Sequence, residues 1–405
     1  NLKIKTVKKK IKYFLLSILL SPFIILIFLL RPIKLIRFGQ LGVQRIGSIS
    51  IAEQYLLNNI YKKGSGKPFD IWVVDKNVCN KQLLIILKRK FLIFDNLLIF
   101  FNILKLVSKH IKIFSIHLVK IENSNDTNNL FDKYPVQLKL TEEEIIKGQS
   151  KLKDFGIPKN AKIVCITCRD SIYLKKKFPK KNFDYHSYRD ANINHYIPAI
   201  KFLISKGFYV IRLGRISAQR VNFKNKKFVD YPFHKLKSDF MDFYLTYKSN
   251  FWISGNVGID EVAVVFRRPI LLLNMAPLMG LAPKITKKKV LFFLKSHVKK
   301  NKKMSFEEIF NSNIVNSYRA EDFKKNKISL NQLKPKEIKN AVIEMIKLMN
   351  FSWRITSKKN LKLQKKFKKI FIKKIIRYDN SFKYKSLKAI YCFDFLKKNN
   401  WFLKN

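Results

Sequence analysis

The chain reads as an α/β protein of two open-sheet domains facing a cleft, preceded by an apolar anchor helix, and three observations predict this. From Ile33 onward, short β-branched apolar runs alternate with helical patterns, as in βα units. One run, Ile163 to Ile166, soon gives way to Arg169, Asp170 and Ser171, which is how a buried parallel strand delivers polar side chains to its carboxyl edge. Tyr13 to Leu30 is an almost unbroken apolar segment between basic flanks.

With 405 residues, 47% of them hydrophobic, the chain has material for two cores. The expected divisions are 1–37 for the anchor helix and its flanks, 38–155 and 156–350 for the two domains, and 351–405 for a basic aromatic tail. The formal charge of +56 favours anionic partners such as a lipid surface or nucleotide phosphates. Its Lys is dispersed among abundant Ile, Asn and Phe, the bias of an AT-rich coding sequence, and no nucleic-acid-binding motif stands out. The 4 cysteines make no disulfide framework. Cys165 and Cys168 lie three apart on a strand and so face opposite ways, which argues against shared metal binding.

The elements follow in order. Tyr13 to Leu30 would form a helix about 27 Å long, just short of a hydrocarbon core of about 30 Å. Pro22 within it and Pro32 after it make an interfacial anchor a competitor to a full span. The heavier basic flank precedes the run, which would place the rest of a true span outside the cytosol. A monotopic anchor or an inverted single span is therefore expected. Phe69 to Val74 reads as a strand, Lys81 to Phe91 as a helix, and Phe91 to Val107 as a buried helix or strand pair. Thr141 with Glu144 forms a capping box for a helix ending at Gly156, the expected bridge between domains. Strands are expected at Lys162 to Thr167, Phe208 to Leu213, Phe251 to Ser254 and Ile270 to Leu273, with helices at Tyr196 to Ser205 and up to Phe266. Ser305 with Glu308 suggests another cap. Pro335 to Met349 is a helix with Ile338, Val342, Met345, Ile346 and Met349 on one stripe.

Several strand ends carry chemistry. Arg169 offers a permanent planar cation to a phosphate, with an ion pair to Asp170 as the structural alternative. Ser171 and Tyr173 follow on the loop as ligand-bonding or turn-capping groups. Arg212 and Gly214 end the Phe208 strand. Ser254, Gly255, Asn256, Gly258 and Asp260 form a Gly-containing turn before a short helix, where backbone amides approach a phosphate. That turn lacks the dinucleotide fingerprint, and an ordinary βα turn is the alternative. His186, Tyr188, Arg189 and Asp190 form a polar cluster suited to an acceptor hydroxyl or sugar. In the first half, Arg45 and Ser48 precede a helix carrying Glu53, a possible general base or an exposed helix residue.

Cys168 to Leu174, Tyr188 to Tyr196, Gly207 to Gly214 and Ser238-Asp239-Phe240, with Gly258 and Arg268-Pro269, together resemble a family of bacterial glycosyltransferases associated with surface-polysaccharide biosynthesis. The similarity covers Gly39 to Pro277 and is strongest from Val164 to Pro269. It implies the GT-B fold of the fucosyltransferase type, two Rossmann-like domains with the acceptor on the first and a nucleotide-sugar donor on the second. It also maps Arg169 to the donor diphosphate and the Asp239 to Gly258 region to the nucleotide-facing wall. The acceptor would be a glycan or lipid-linked sugar, at the cytoplasmic face of the inner membrane. No cofactor or metal is expected, since no Asp-x-Asp motif is present and cations would stabilise the leaving group. Two histidines of the family pattern are replaced here by Thr167 and Ser48. That departure keeps open a catalytically degenerate nucleotide- or glycan-binding module, and the net charge keeps open a basic nucleic-acid or anionic-lipid binder.

Overall fold

Strands covered on both faces carry apolar side chains without alternation, and the second half of the chain is built from such strands. In the computed structural model, residues 2–61, 67–121, 125–177, 179–180, 182–377 and 387–403 are described. They divide into two units, Asn1–Asn123 and Ser124–Asn405.

The first unit contains two parallel strands, β1 (Ile36–Leu41) and β2 (Phe69–Val74), in a register that sets Phe38 beside Ile71 and Gly39 beside Trp72. The indole of Trp72 lies where a side chain on Gly39 would be: a Cβ there would come within 2.6 Å of the ring. Across the pair, Arg37 grips Asp70 in bidentate fashion, at 2.7 and 2.9 Å, and Tyr55 hydrogen-bonds the same carboxylate. Helices Ile49–Tyr61, Lys81–Lys88 and Leu98–His110 complete the unit, the last burying Phe101, Ile103 and Leu104.

The N-terminal apolar run lies in a long helix, Leu2–Leu29. Ile24 is buried with Phe38, Val73, Phe101, Ile103 and Leu104, and Tyr13, Leu16, Leu20 and Ile27 pack against that cluster. Among the described residues no helix is long and apolar enough to cross a membrane. The expectation of a separate anchor helix is corrected accordingly, because one face of this helix is spent on the core of the unit. Its opposite face stays exposed at Phe14, Leu15, Ile18, Leu19 and Phe23.

Among its described residues the second unit contains a seven-stranded sheet with order β12-β8-β7-β6-β3-β4-β5. Its strands are β3 (Lys162–Ile166), β4 (Phe208–Arg212), β5 (Phe228–Asp230), β6 (Phe251–Ser254), β7 (Ile270–Met275), β8 (Val290–Leu294) and β12 (Ile390–Tyr391). All of its pairings are parallel. A small antiparallel sheet joins β9 (Ser296–Lys299), β10 (Lys302–Lys303) and β11 (Ile328–Asn331). From β3 the chain builds outward through β4 and β5, then returns to lay β6 on the other side of β3. The order therefore reverses between β3 and β6, where open α/β sheets leave a crevice at the carboxyl ends of the strands.

The capping box of Thr141 and Glu144 opens helix Glu142–Asp154, with Gly156 at φ +68° after its end. This helix belongs to the second unit: Gly148 lets it press on Tyr244, whose ring atoms lie as near as 2.0 Å to where a Cβ would stand. In helix Pro335–Asn350 the core face holds Ile338, Ala341, Val342, Met345 and Leu348, with Ile346 and Met349 only partly buried. The segment expected as a tail is part of the unit. Helix Lys358–Ile375 buries Phe367, Phe371 and Ile375 at four-residue spacing, β12 extends the sheet beside β8, and Phe306, Tyr391 and Phe402 close an aromatic cluster with them.

Candidate anion site at the sheet switch point

Arg169 follows β3 and the turn from Ser254 follows β6, so the two flank the crevice where the strand order reverses. Their backbones touch. A Cβ on Gly255 would stand 3.2 Å from the Arg169 nitrogen and 3.4 Å from the Thr167 carbonyl, so glycine is what permits the approach. Asn256 takes a left-handed φ of +61°, which shapes the turn.

One buried carboxylate organises this turn. Asp260 is fully enclosed; its Oδ1 accepts from the Trp252 indole at 2.8 Å and the Thr167 hydroxyl at 3.1 Å. Its Oδ2 accepts from the Val257 amide at 2.7 Å and from the Ser254 hydroxyl, which in turn accepts the Asn256 amide at 2.8 Å. Burial pushes its pKa up, against the pull of Lys284 and these donors. Ser254 and Asp260 thus hold the turn in shape rather than meeting a ligand. Gly258 contributes its carbonyl to Glu261 N at 3.3 Å at the start of helix Asp260–Val265.

Arg169 is buried. Its guanidinium donates to the His186 carbonyl at 3.0 Å and pairs with Asp190. The carboxylate partner is thus Asp190, where the sequence suggested Asp170. Asp170 is occupied by the amides of Ile172 at 3.3 Å and Ala218 at 3.0 Å, so it braces the loops after β3 and β4. Arg189, expected at an acceptor site, instead donates to the Asn256 carbonyl of the Gly255 turn. Its Nε is buried with no hydrogen-bond partner among the described residues. Burial lowers the pKa of Arg189, and the neighbouring charge of Arg169 lowers it further. Arg189 thus meets the Gly255 turn within electrostatic reach of Arg169.

A third cation was not singled out from the sequence. Lys295 follows β8, is buried, and donates to the carbonyls of Tyr188 at 2.8 Å and Asp190 at 2.7 Å. Burial brings its pKa down to about 8, against the opposing pull of Asp190. The signal available was an apolar run, Val290 to Leu294, ending in a charge, the same pattern that marks Arg169.

Other expected residues go elsewhere. Arg212 is enclosed at the end of β4, donating to the Gln219 carbonyl at 2.7 Å and paired with Asp230 on β5 at 3.3 Å. Its guanidinium is paired within the sheet, as that of Arg169 is with Asp190, and its Nε is buried with no hydrogen-bond partner among the described residues. Gly214 beyond it has φ +152°. Asp239 opens helix Asp239–Lys248 and pairs with Arg215. The Ser171 carbonyl accepts from Lys175 N at 3.2 Å, and the Tyr173 hydroxyl accepts from Lys177 Nζ at 3.2 Å. The Tyr188 ring is stacked on Phe323 with centroids 5.1 Å apart, and burial raises its hydroxyl to a pKa of about 12. His186 packs its ring on Tyr185, centroids 4.1 Å apart. Cys165 Sγ meets the Leu245 carbonyl and Cys168 Sγ the Ala191 carbonyl, so the two thiols are separately satisfied.

In the first unit Ser48 donates its hydroxyl to the carbonyls of Gly42 and Arg45, closing the turn after β1, and Arg45 is exposed. Glu53 is fully buried in helix Ile49–Tyr61, not on an exposed face. Among the described residues no group of three or more His, Cys, Asp or Glu could hold a metal ion.

No protein-family model matches the chain, and no curated protein matches it. Among solved structures it is similar to the ADP-heptose lipopolysaccharide heptosyltransferase II of E. coli, with TM-score 0.43 and 10% identity over 78% of this chain and 100% of that one. It is also similar to a family 9 glycosyl transferase of Veillonella parvula, with TM-score 0.40 and 10% identity over 64% and 86%. A third similar structure is an iron-containing dodecameric glycosyltransferase of enterotoxigenic E. coli, with TM-score 0.38 and 10% identity over 78% of each chain. Likeness at this level assigns no activity.

Proposed function

We propose that the chain is a glycosyltransferase of the GT-B type that moves a sugar from a nucleotide-activated donor to a glycan or lipid-linked acceptor, with the donor diphosphate bound at the switch point of the second unit. The observation that carries this reading is the seating of buried Arg189 on the Gly255 turn beside Arg169, with its Nε lacking a hydrogen-bond partner among the described residues. Asp190 offsets the charge of Arg169, whereas Arg189 is met by the Asn256 carbonyl and no paired carboxylate among the described residues, so a diphosphate would accept from the buried N–H of Arg189 and share the field of Arg169. When the glycosidic bond to the donor breaks, negative charge builds on the departing diphosphate. Arg169 and Arg189 would stabilise it by charge-assisted hydrogen bonds, in place of a metal ion. Lys295 tethers the Tyr188 and Asp190 carbonyls and so sets where both arginines stand.

The first unit would hold the acceptor, and the exposed apolar face of helix Leu2–Leu29 would rest on the anionic cytoplasmic face of the inner membrane. The resemblance noted in the sequence supports the surface-polysaccharide setting. One observation favours a second reading, a nucleotide- or glycan-binding module without turnover. Thr167 and Ser48, which stand where the family pattern has histidine, both spend their hydroxyls on internal hydrogen bonds.

Calorimetric titration with a panel of nucleotide diphosphosugars tests the site. At least one should bind, and Arg169→Lys and Arg189→Gln should each weaken it by about tenfold or more, the scale of one lost charged hydrogen bond. Binding unchanged in both variants would remove the assignment. Release of free sugar or its transfer by the wild type separates the enzyme from the non-catalytic module.

A further inference from the structure

The parallel sheet of the second unit has an opposite edge, at the amino ends of its strands. Arg267 and Arg268 immediately precede β7, and Lys287, Lys288 and Lys289 precede β8, so the register of Ile270 beside Val290 brings both basic runs together. With Lys133 they line a cavity of about 450 Å³, whose one acidic lining residue is Asp132. At roughly 3.3 Å per residue the strands set this cavity on the order of 15–20 Å from the carboxyl-edge site, and the two share no residue.

The charges in this cavity are unequally compensated. Lys287 is buried and pairs with Asp126 at 2.5 Å, while Asp132 accepts the Lys288 amide at 3.1 Å and keeps its charge, so these carboxylates offset the lysines in part. The Arg268 guanidinium is met by the carbonyls of Phe266 at 3.0 Å and Ser249 at 3.4 Å, which orient it without cancelling its charge. Arg267 donates to the carbonyls of Val265 and Tyr134, and its guanidinium lies 4.6 Å from the centre of the Phe131 ring. Lys287 Nζ lies 4.1 Å from the same ring. A pocket of this size, with arginines fixed by backbone and an aromatic wall, suits a phosphate carried on a sugar-sized body.

We infer that this amino-edge cavity is a second anion site, one that takes a phosphate mono- or diester and is independent of the site at the switch point. The phosphate could belong to a soluble sugar phosphate or to a lipid head group, and the experiment separates them. The full-length protein is titrated with glucose 1-phosphate, and in parallel with vesicles containing phosphatidylglycerol. Arg268→Gln, and separately the exposed pair Lys288→Gln/Lys289→Gln, which leaves the packing untouched, should lower affinity at least fivefold for one of the two probes. Loss for glucose 1-phosphate identifies a soluble ligand, and loss for vesicles alone identifies a head group. Arg169→Ala should leave the affected probe's binding unchanged. The inference is overturned if neither probe responds, if Arg169→Ala abolishes the same binding, or if Lys299→Gln/Lys300→Gln on the β9 to β10 turn weakens it equally, since that would be net charge alone.

Discussion

At the residue scale, the site depends on a carboxylate that no ligand touches. Asp260 accepts four hydrogen bonds in full burial, and its Oδ2 faces the Val257 amide and the Ser254 hydroxyl. Asp260→Asn would point an amide donor at one pair of those donors. It should therefore cost on the order of 1–3 kcal/mol in urea unfolding and at least tenfold in nucleotide diphosphate affinity. Unchanged affinity in a folded Asp260→Asn protein would mean that the turn does not form the binding wall. Residues at this scale were unevenly legible. Arg169 and the Gly255 turn were legible as neighbours at adjacent strand ends, because each apolar strand gives way there to charge or glycine. Arg212 presented the same pattern, but its partner Asp230 could not be read, since it lies on β5, a three-residue strand too short to announce itself. Lys295 was hidden by the abundance of lysine, which makes one more at a strand end uninformative.

At the element scale, helix Leu2–Leu29 serves two surroundings at once. Its inner face packs on Phe101 and Leu104, while Leu15 and Leu19 are 59% and 67% exposed, enough to be changed without disturbing the core. Leu15→Glu/Leu19→Glu should keep the wild-type melting temperature but reduce co-sedimentation with anionic vesicles severalfold, because burying a carboxylate in the interface is unfavourable. Equal co-sedimentation would rule out this face as the lipid contact. The sequence marked the helix by its apolar run. Hydropathy alone did not reveal that one side was already taken, because burial against β1, β2 and helix Leu98–His110 depends on residues far along the chain. The segment after Asn350 shows the converse: lysines between Phe367, Phe371 and Ile375 disguised a core helix as a solvated tail.

At the scale of the whole molecule, His297 contributes one share of the acid response of the second unit, opposed by Glu344, whose pKa burial raises to about 8. Burial lowers the pKa of His297 to about 4, below an unfolded value of about 6.5. The folded state thus binds fewer protons in that window. The stability this confers is complete above about pH 6.5 and is lost as pH falls through 4, a loss on the order of 2 kcal/mol by pH 4.5. His297→Gln should remove that part of the loss when urea midpoints at pH 7 and pH 4.5 are compared. A variant as acid-sensitive as the wild type would place the dependence on other groups.

The sequence by itself determined the α/β class, most strands of the parallel sheet, the capped helices and the strand-end position of Arg169. These follow from local patterns: apolar runs, periodicity, caps and glycine at turns. Only the tertiary structure decided that the chain reverses its strand order between β3 and β6, that Arg189 reaches the Gly255 turn, that Arg169 and Arg212 pair with Asp190 and Asp230, and that the C-terminal segment completes the sheet. The reason is that whether a cation is neutralised depends on the carboxylate brought to it, and the partners of Arg212 and Arg169 lie 18 and 21 residues away.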